Sequence, residues 1–137
     1  MNHANCRVAA RMLQAVEQRD MDTLAAIYHP QVEFWWPPGL PYGGHHRPEA
    51  IAAMAESFRA TWLPLQPTPA LRALDWRIVA ANDREVVAQY TLKGAHADGR
   101  QIAVDTLALY AFSRERLARA RMHHFDLLGL LDFLGWQ

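Results

Sequence analysis

Three things are scarce in this chain of 137 residues: cysteine, net charge and long apolar runs. The single cysteine, Cys6, excludes an intrachain disulfide and any zinc cluster built on cysteines. Fourteen Lys+Arg balance fourteen Asp+Glu, so the formal net charge is zero. A neutral chain has no basic field to draw in nucleic acid or an anionic membrane. No apolar run reaches membrane-spanning length, and the N-terminus, interrupted by Arg7 and Arg11, has no signal-peptide core. The expectation is a soluble cytoplasmic domain with no nucleic-acid and no membrane partner. Proline is missing from the whole C-terminal half, because all eight fall between Pro30 and Pro69.

What is present suffices for a core. Apolar residues make up 51% of the chain and charged residues 20%, which suits a single globular domain over residues 1–137. Residues 4–18 carry Val8, Met12 and Val16 at helical spacing, with Arg7, Arg11 and Glu17 on the other faces. Asp22 has the character of an N-cap for a short helix through Leu24, Ile27 and Tyr28, which Pro30 is expected to end. Val32 to Trp36 is β-prone and stops at Pro37 and Pro38. A Pro- and Gly-rich loop over 37–48 follows. Pro48 then fits the first position of a helix whose stripe is Ile51, Met54, Ala55, Phe58 and Trp62.

Beyond Pro69 the pattern becomes that of strands over 71–81, 85–96, 101–112 and 117–125. They are separated by turn residues at Asn82-Asp83, Asp98-Gly99 and Ser113-Arg114-Glu115. Asp126 is placed to cap a last helix, Leu127–Leu134, which Gly135 closes. That helix is too apolar to be solvated all round and is expected to close the end of the sheet or to pack on a partner. Consecutive strands joined by tight turns form an antiparallel meander, and helices segregated from it make an α+β domain. A curved sheet against a long helix leaves a concave pocket suited to a small ligand.

Several local motifs occur together in this order. They are Asp22-Thr23-Leu24 followed by Ile27-Tyr28-His29-Pro30-Gln31-Val32, the aromatic strand ending at Pro37, Gly43 to Ile51, and the closing Arg121-Met122-His123-His124-Phe125-Asp126. In these the chain resembles the SnoaL-like branch of the nuclear-transport-factor-2-like superfamily, related to polyketide cyclases and ketosteroid isomerases. It departs from that pattern at Pro48, where glycine is common, and at Arg114-Glu115-Arg116, where Asp-Gly-Lys is common. The resemblance implies a cone-shaped, curved antiparallel sheet wrapped around helices, a homodimer and a deep apolar cavity. Members include cyclases, isomerases, epoxide hydrolases, dehydratases and non-catalytic binding modules, so the site has to be argued residue by residue.

Within the strands, isolated ionisable groups attract attention, because a carboxyl or imidazole in a dry cavity can move a proton. Asp105 is the only charge between Gln101 and Ser113; it either pairs with an arginine such as Arg119 or Arg121, lies exposed on one face, or acts as acid/base. Glu33 has two frames. Alignment with the epoxide-hydrolase-like members turns Glu33 and Trp35 inward, whereas strand alternation turns Val32, Phe34 and Trp36 inward. His123 and His124 must face opposite ways. Alternation with Ala118, Ala120 and Met122 favours His124 inward, while the resemblance puts His123, with Arg121, at the family's acid position. His45-His46 in the loop is a weak metal signal without a third ligand, and no metal is assigned. Trp35, Trp36, Tyr28, Tyr42, Phe58, Trp62, Trp76, Tyr90 and Met122 are the candidate substrate walls. The expected activity is cofactor-free acid/base chemistry on a hydrophobic cyclic or polyketide-like molecule, using Asp105, His124 or His123, and Glu33. The alternative is a non-catalytic module that binds a hydrophobic ligand or dimerises, favoured by a cavity into which no ionisable group faces.

Overall fold

The apolar stripe of the N-terminal segment forms α1, His3–Gln18, in a computed structural model that describes residues 3–135. Val8, Met12 and Leu13 are buried along it. The second helix, α2 (Met21–Ile27), is capped by Asp20 rather than by Asp22: Thr23 donates its N–H to Asp20 Oδ1 at 3.1 Å and its hydroxyl to Oδ2 at 2.6 Å. Strand β1, Tyr28–Trp36, begins earlier than its aromatic run suggests and runs through Pro30. The proline is tolerated because pairing of β1 with its neighbour shifts register between Tyr28 and Glu33, where no ladder N–H is required. The Pro/Gly loop contains a three-residue strand, β2 (Gly44–His46), too short to show in the sequence. A 3₁₀ turn at Pro48–Ala50 leads into α3, Ile51–Trp62.

After α3 the expected strand over 71–81 is divided. Thr68 caps a helical turn, α4 (Pro69–Arg72), and only Arg77–Ala81 forms β3. The meander then follows as β4 (Glu85–Ala95), β5 (Gln101–Ser113) and β6 (Arg116–His124), each antiparallel to the last. The β5–β6 turn holds Arg114 and Glu115 at φ of 52° and 62°, the left-handed pair of a hairpin turn that usually falls to Gly or Asn. The six strands are ordered β2-β1-β6-β5-β4-β3, and β1 lies parallel to β6. The last helix, α5 (Leu127–Phe133), is capped by Asp126, which accepts the Gly129 N–H at 2.9 Å. It buries Leu130 and Phe133 and leaves Leu128 exposed.

The curved sheet folds its inner face over α1 and α3. Val86, Ala88, Tyr90 and Leu92 from β4 meet Val104, Ala108 and Tyr110 from β5 and Ala120 and Met122 from β6 there. Alternation sends Gln89, Asp105, Arg121 and His123 to the outer face. No helix among the described residues is long and apolar enough to cross a membrane.

Candidate functional site

The inner face and the helices do not fill the space between them. A cavity of about 100 Å³ remains, walled by Met12, Leu13 and Val16 of α1, Leu24 of α2, Met54, Ala55 and Phe58 of α3, and Tyr28, Phe34, Trp36, Tyr90, Tyr110 and Met122 of the sheet. That is the scale of the ~150 Å³ apolar cavity able to admit one benzene ring. The aromatic wall is fixed by its own contacts. Trp36 stacks on Phe58 at 5.4 Å between centroids and donates its indole N–H to Met54 Sδ at 3.2 Å. Tyr28 meets Phe34 edge-on at 5.4 Å. Burial pushes the phenols of Tyr28, Tyr90 and Tyr110 upward, so each stays a neutral O–H at physiological pH. At the rim stand Arg19, Arg59, Arg72 and Gln66. Among the described residues that line the cavity, none is Asp, Glu or His.

The expected acid/base residues therefore do not converge there. Of the three alternatives for Asp105 the structure shows exposure on one face: it lies on the outer face, accepting the Thr91 hydroxyl at 2.9 Å, and neither faces the cavity nor pairs with Arg119 or Arg121. Its position opposite in parity to Val104 and Thr106 is the reason. Strand alternation also decides β1: Val32, Phe34 and Trp36 face in, and Glu33 and Trp35 face out, against the frame drawn from the resemblance. On that outer face Glu33 bonds His45 at 2.6 Å, the His45 ring stacks flat on Trp35 at 4.2 Å, and the Arg121 guanidinium lies 5.7 Å from the Trp35 ring centre. His123 is exposed on the same side, so neither it nor Arg121 occupies an inward acid position. His46 donates to the Tyr42 carbonyl at 2.8 Å, and no three His, Cys, Asp or Glu among the described residues gather to hold a metal ion.

His124 does point inward. It is buried, and its Nδ1 lies 2.7 Å from the Thr106 hydroxyl. Its Nε2 is buried with no hydrogen-bond partner. Burial, aided by the neighbouring His123, pushes its pKa down to about 4, so it is a neutral imidazole. It sits behind the cavity wall, 6.2 Å from the Trp36 ring centre to centre.

Of the expected wall residues, Tyr28, Trp36, Phe58, Tyr90 and Met122 line the cavity. Tyr42 and Trp62 form a second layer, with the Trp62 indole N–H donated to the Tyr42 hydroxyl at 3.0 Å and Tyr42 edge-on to Trp36 at 4.9 Å. Neither Trp76, which is half-buried, nor Trp35, on the outer face, lines the cavity. Tyr110 and the rim residues Arg19, Gln66 and Arg72 were not singled out by sequence. Tyr110 had a signal, sharing the even-numbered face of β5 with Val104 and Ala108, whereas the arginines are brought together only by the tertiary fold.

The family model for the SnoaL-like domain matches residues 9–120. The chain belongs to the SnoaL-like family. No curated protein matches its sequence. Solved structures share the fold. Bal32a, from a soil-derived mobile gene cassette, is 19% identical, with 98% of each chain covered and a TM-score of 0.79. TerC, co-crystallised with polyporic acid, is 15% identical over 96% of this chain and 98% of its own, with a TM-score of 0.79. A candidate SnoaL-like polyketide cyclase from Jannaschia sp. CCS1 is 17% identical over 94% and 90%, with a TM-score of 0.70. At these identities the likeness is one of fold, and the SnoaL-like cavity has to speak for its own chemistry.

Proposed function

We propose that this SnoaL-like domain binds a small, ring-bearing apolar molecule that carries a hydrogen-bond acceptor such as a carbonyl. The observation that supports this reading best is an aromatic cavity lined by Tyr28, Tyr90 and Tyr110, with no carboxylate or imidazole among its lining residues. Aromatic walls supply the apolar contact area, and neutral phenols donate hydrogen bonds to an oxygen without paying to bury a charge. The fold neighbour TerC was co-crystallised with polyporic acid, a small ring-bearing molecule, which is in keeping with this reading. A lining without carboxylate or imidazole favours the binding role over carboxylate-driven proton transfer. The test is calorimetric titration with 4-phenyl-2-butanone. Saturable binding to the wild type, abolished in an Ala55→Trp variant that fills the cavity at unchanged melting temperature, is the expected result. Equal binding to both proteins refutes it.

A second reading, proton transfer on a bound ketone, rests on His124. A buried neutral imidazole whose Nε2 lacks a partner has a lone pair or a proton to offer. A base with a pKa near 4 is always deprotonated at neutral pH but pulls weakly on a carbon acid. It is also not among the residues that line the cavity, whereas Trp36 beside it is. Deuterium exchange at the α-carbons of 4-phenyl-2-butanone in D₂O, followed by NMR, separates the readings. Catalysed exchange that disappears in His124→Asn supports catalysis, and exchange at the buffer rate removes it.

A further inference from the structure

The rim of the cavity holds more positive charge than the protein balances. Three guanidinium groups line it, from Arg19, Arg59 and Arg72. Arg59 is matched by Glu56, with Nη2 to Oε1 at 3.0 Å. Arg19 and Arg72 are not: among the described residues neither has a carboxylate within ion-pair distance. Both lean on one neutral residue instead. Arg19 Nη2 donates to the Gln66 side-chain oxygen, and Arg72 Nη1 donates to the Gln66 carbonyl at 3.2 Å. Gln66 is itself buried and anchored through its Nε2 to the Lys93 carbonyl at 2.8 Å. Glu17, which lines the adjoining groove with Arg19 and Arg72, accepts the Leu74 N–H at 2.7 Å.

Two further features mark Arg19. Its Nε–H is buried without an acceptor, an unmet donor on a charged group. Its backbone stands at φ 59°, just past the end of α1, where Arg19 N–H bonds the Val16 carbonyl and Asp20 N–H the Ala15 carbonyl. That left-handed helix end is the ordinary place for glycine, which adopts it freely, whereas a residue with a Cβ is strained there. The chain accepts strain and an unsatisfied donor at one residue, and that residue lines the cavity. Burial and the repulsion of Arg72 and Arg59 lower the Arg19 pKa, which an anion at the rim would relieve.

We propose that the natural ligand is an organic acid, with its ring in the aromatic cavity and its carboxylate at the rim on Arg19 and Arg72. This rests on the reading of the cavity as a small-molecule site and names the ligand class. The carboxylate accepts terminal guanidinium N–H groups of Arg19 and Arg72 that make no bond to Gln66, the charge-assisted geometry for which guanidinium is suited. Gln66 holds the two cations in place before the ligand arrives, so little order is lost on binding.

The test compares 4-phenylbutanoate with its neutral isostere 4-phenylbutanamide by calorimetry on the full chain. The acid is expected to bind about tenfold or more tightly, an advantage that shrinks as salt is added. In Arg19→Gln and, separately, Arg72→Gln, the acid is expected to fall toward the affinity of the amide while the amide is unchanged. Equal binding of acid and amide to the wild type overturns the acid proposal and leaves the cavity reading standing. Binding of neither probe removes both. The wild-type comparison needs no variant, so a misfolded substitution does not blunt it.

Discussion

Protonating His124 should destabilise the fold, and its geometry sets the size of the effect. The imidazole is 8% exposed, its Nδ1 is held by Thr106, and its Nε2 has no partner to share a positive charge. Burial first, and the charge of His123 second, lower its pKa from 6.5 to about 4 in the folded chain. The folded state thus holds the neutral ring, and the unfolded state takes up a proton as the pH falls below 6.5. The stabilisation is fully present above pH 6.5, is lost progressively as the pH falls toward 4, and is then exhausted. At about 1.4 kcal/mol for each pH unit between the two values, the whole loss is about 3 kcal/mol. Between pH 7.5 and pH 5 it is about 2 kcal/mol. Hydrogen bonds also hold the Asp20, Glu56 and Asp98 carboxyls low, but those groups cost stability only on the acid side of the usual carboxylate range. The window from pH 7.5 to 5 lies above that range, and comparison with a variant lacking the ring isolates the buried histidine. Urea unfolding across that window, in wild type and in His124→Asn, measures the difference, and NMR titration of the ring reads its pKa directly. The same pH slope in both proteins, or a ring that titrates near 6.5, would refute the reasoning.

Other outcomes follow from the same geometry. Gly94→Ala should cost about 1–3 kcal/mol by urea unfolding, because a Cβ there would lie 2.9 Å from Trp62 Cζ3 and 3.4 Å from Phe133 Cε2. Asp105→Asn on the outer face should change stability by no more than about 0.5 kcal/mol and leave ligand affinity unaltered; a lost ligand response would return Asp105 to the site. A homodimer remains a proposal, for which the half-buried Leu107 and Leu109 on the outer face of β5 offer an apolar surface. Light scattering should give twice 15.6 kDa at micromolar concentration, and a mass near 15.6 kDa would refute it.

Elements were legible in the sequence wherever one periodicity ran long enough. α1, the β4–β6 meander and the Asp126-capped α5 lie where spacing and turn residues put them, because those segments bury one face with a clean repeat. The misses have local causes. Asp20 took the cap from Asp22 because α2 starts at Met21, two residues before the start that a cap at Asp22 would give. β2 is three residues long, below the length at which alternation can be read. The strand expected over 71–81 lost its first half to Thr68 and Pro69, a capped helical start that a reading by alternation passes over.

The site was less legible, and β1 shows why. Two frames one residue apart differed in every functional consequence, since a shift by one turns each side chain to the other face. The resemblance favoured Glu33 and Trp35 inward, but apolar Val32, Phe34 and Trp36 cannot all be left on the outside of a sheet that has a core to cover. Burial wins over motif because the cost of exposing three large apolar side chains exceeds what one polar contact returns. The same rule carries Asp105 and His123 outward. A family position predicts chemistry only if the local alternation keeps that position inside. Here the rim arginines, brought together from the turn after α1 and from α3 and α4 by the tertiary fold, carry the charge that the expected carboxylates and His123 do not bring to the cavity. On the proposal above, an anion binds at the mouth of a cavity in which a carboxylate was expected to act.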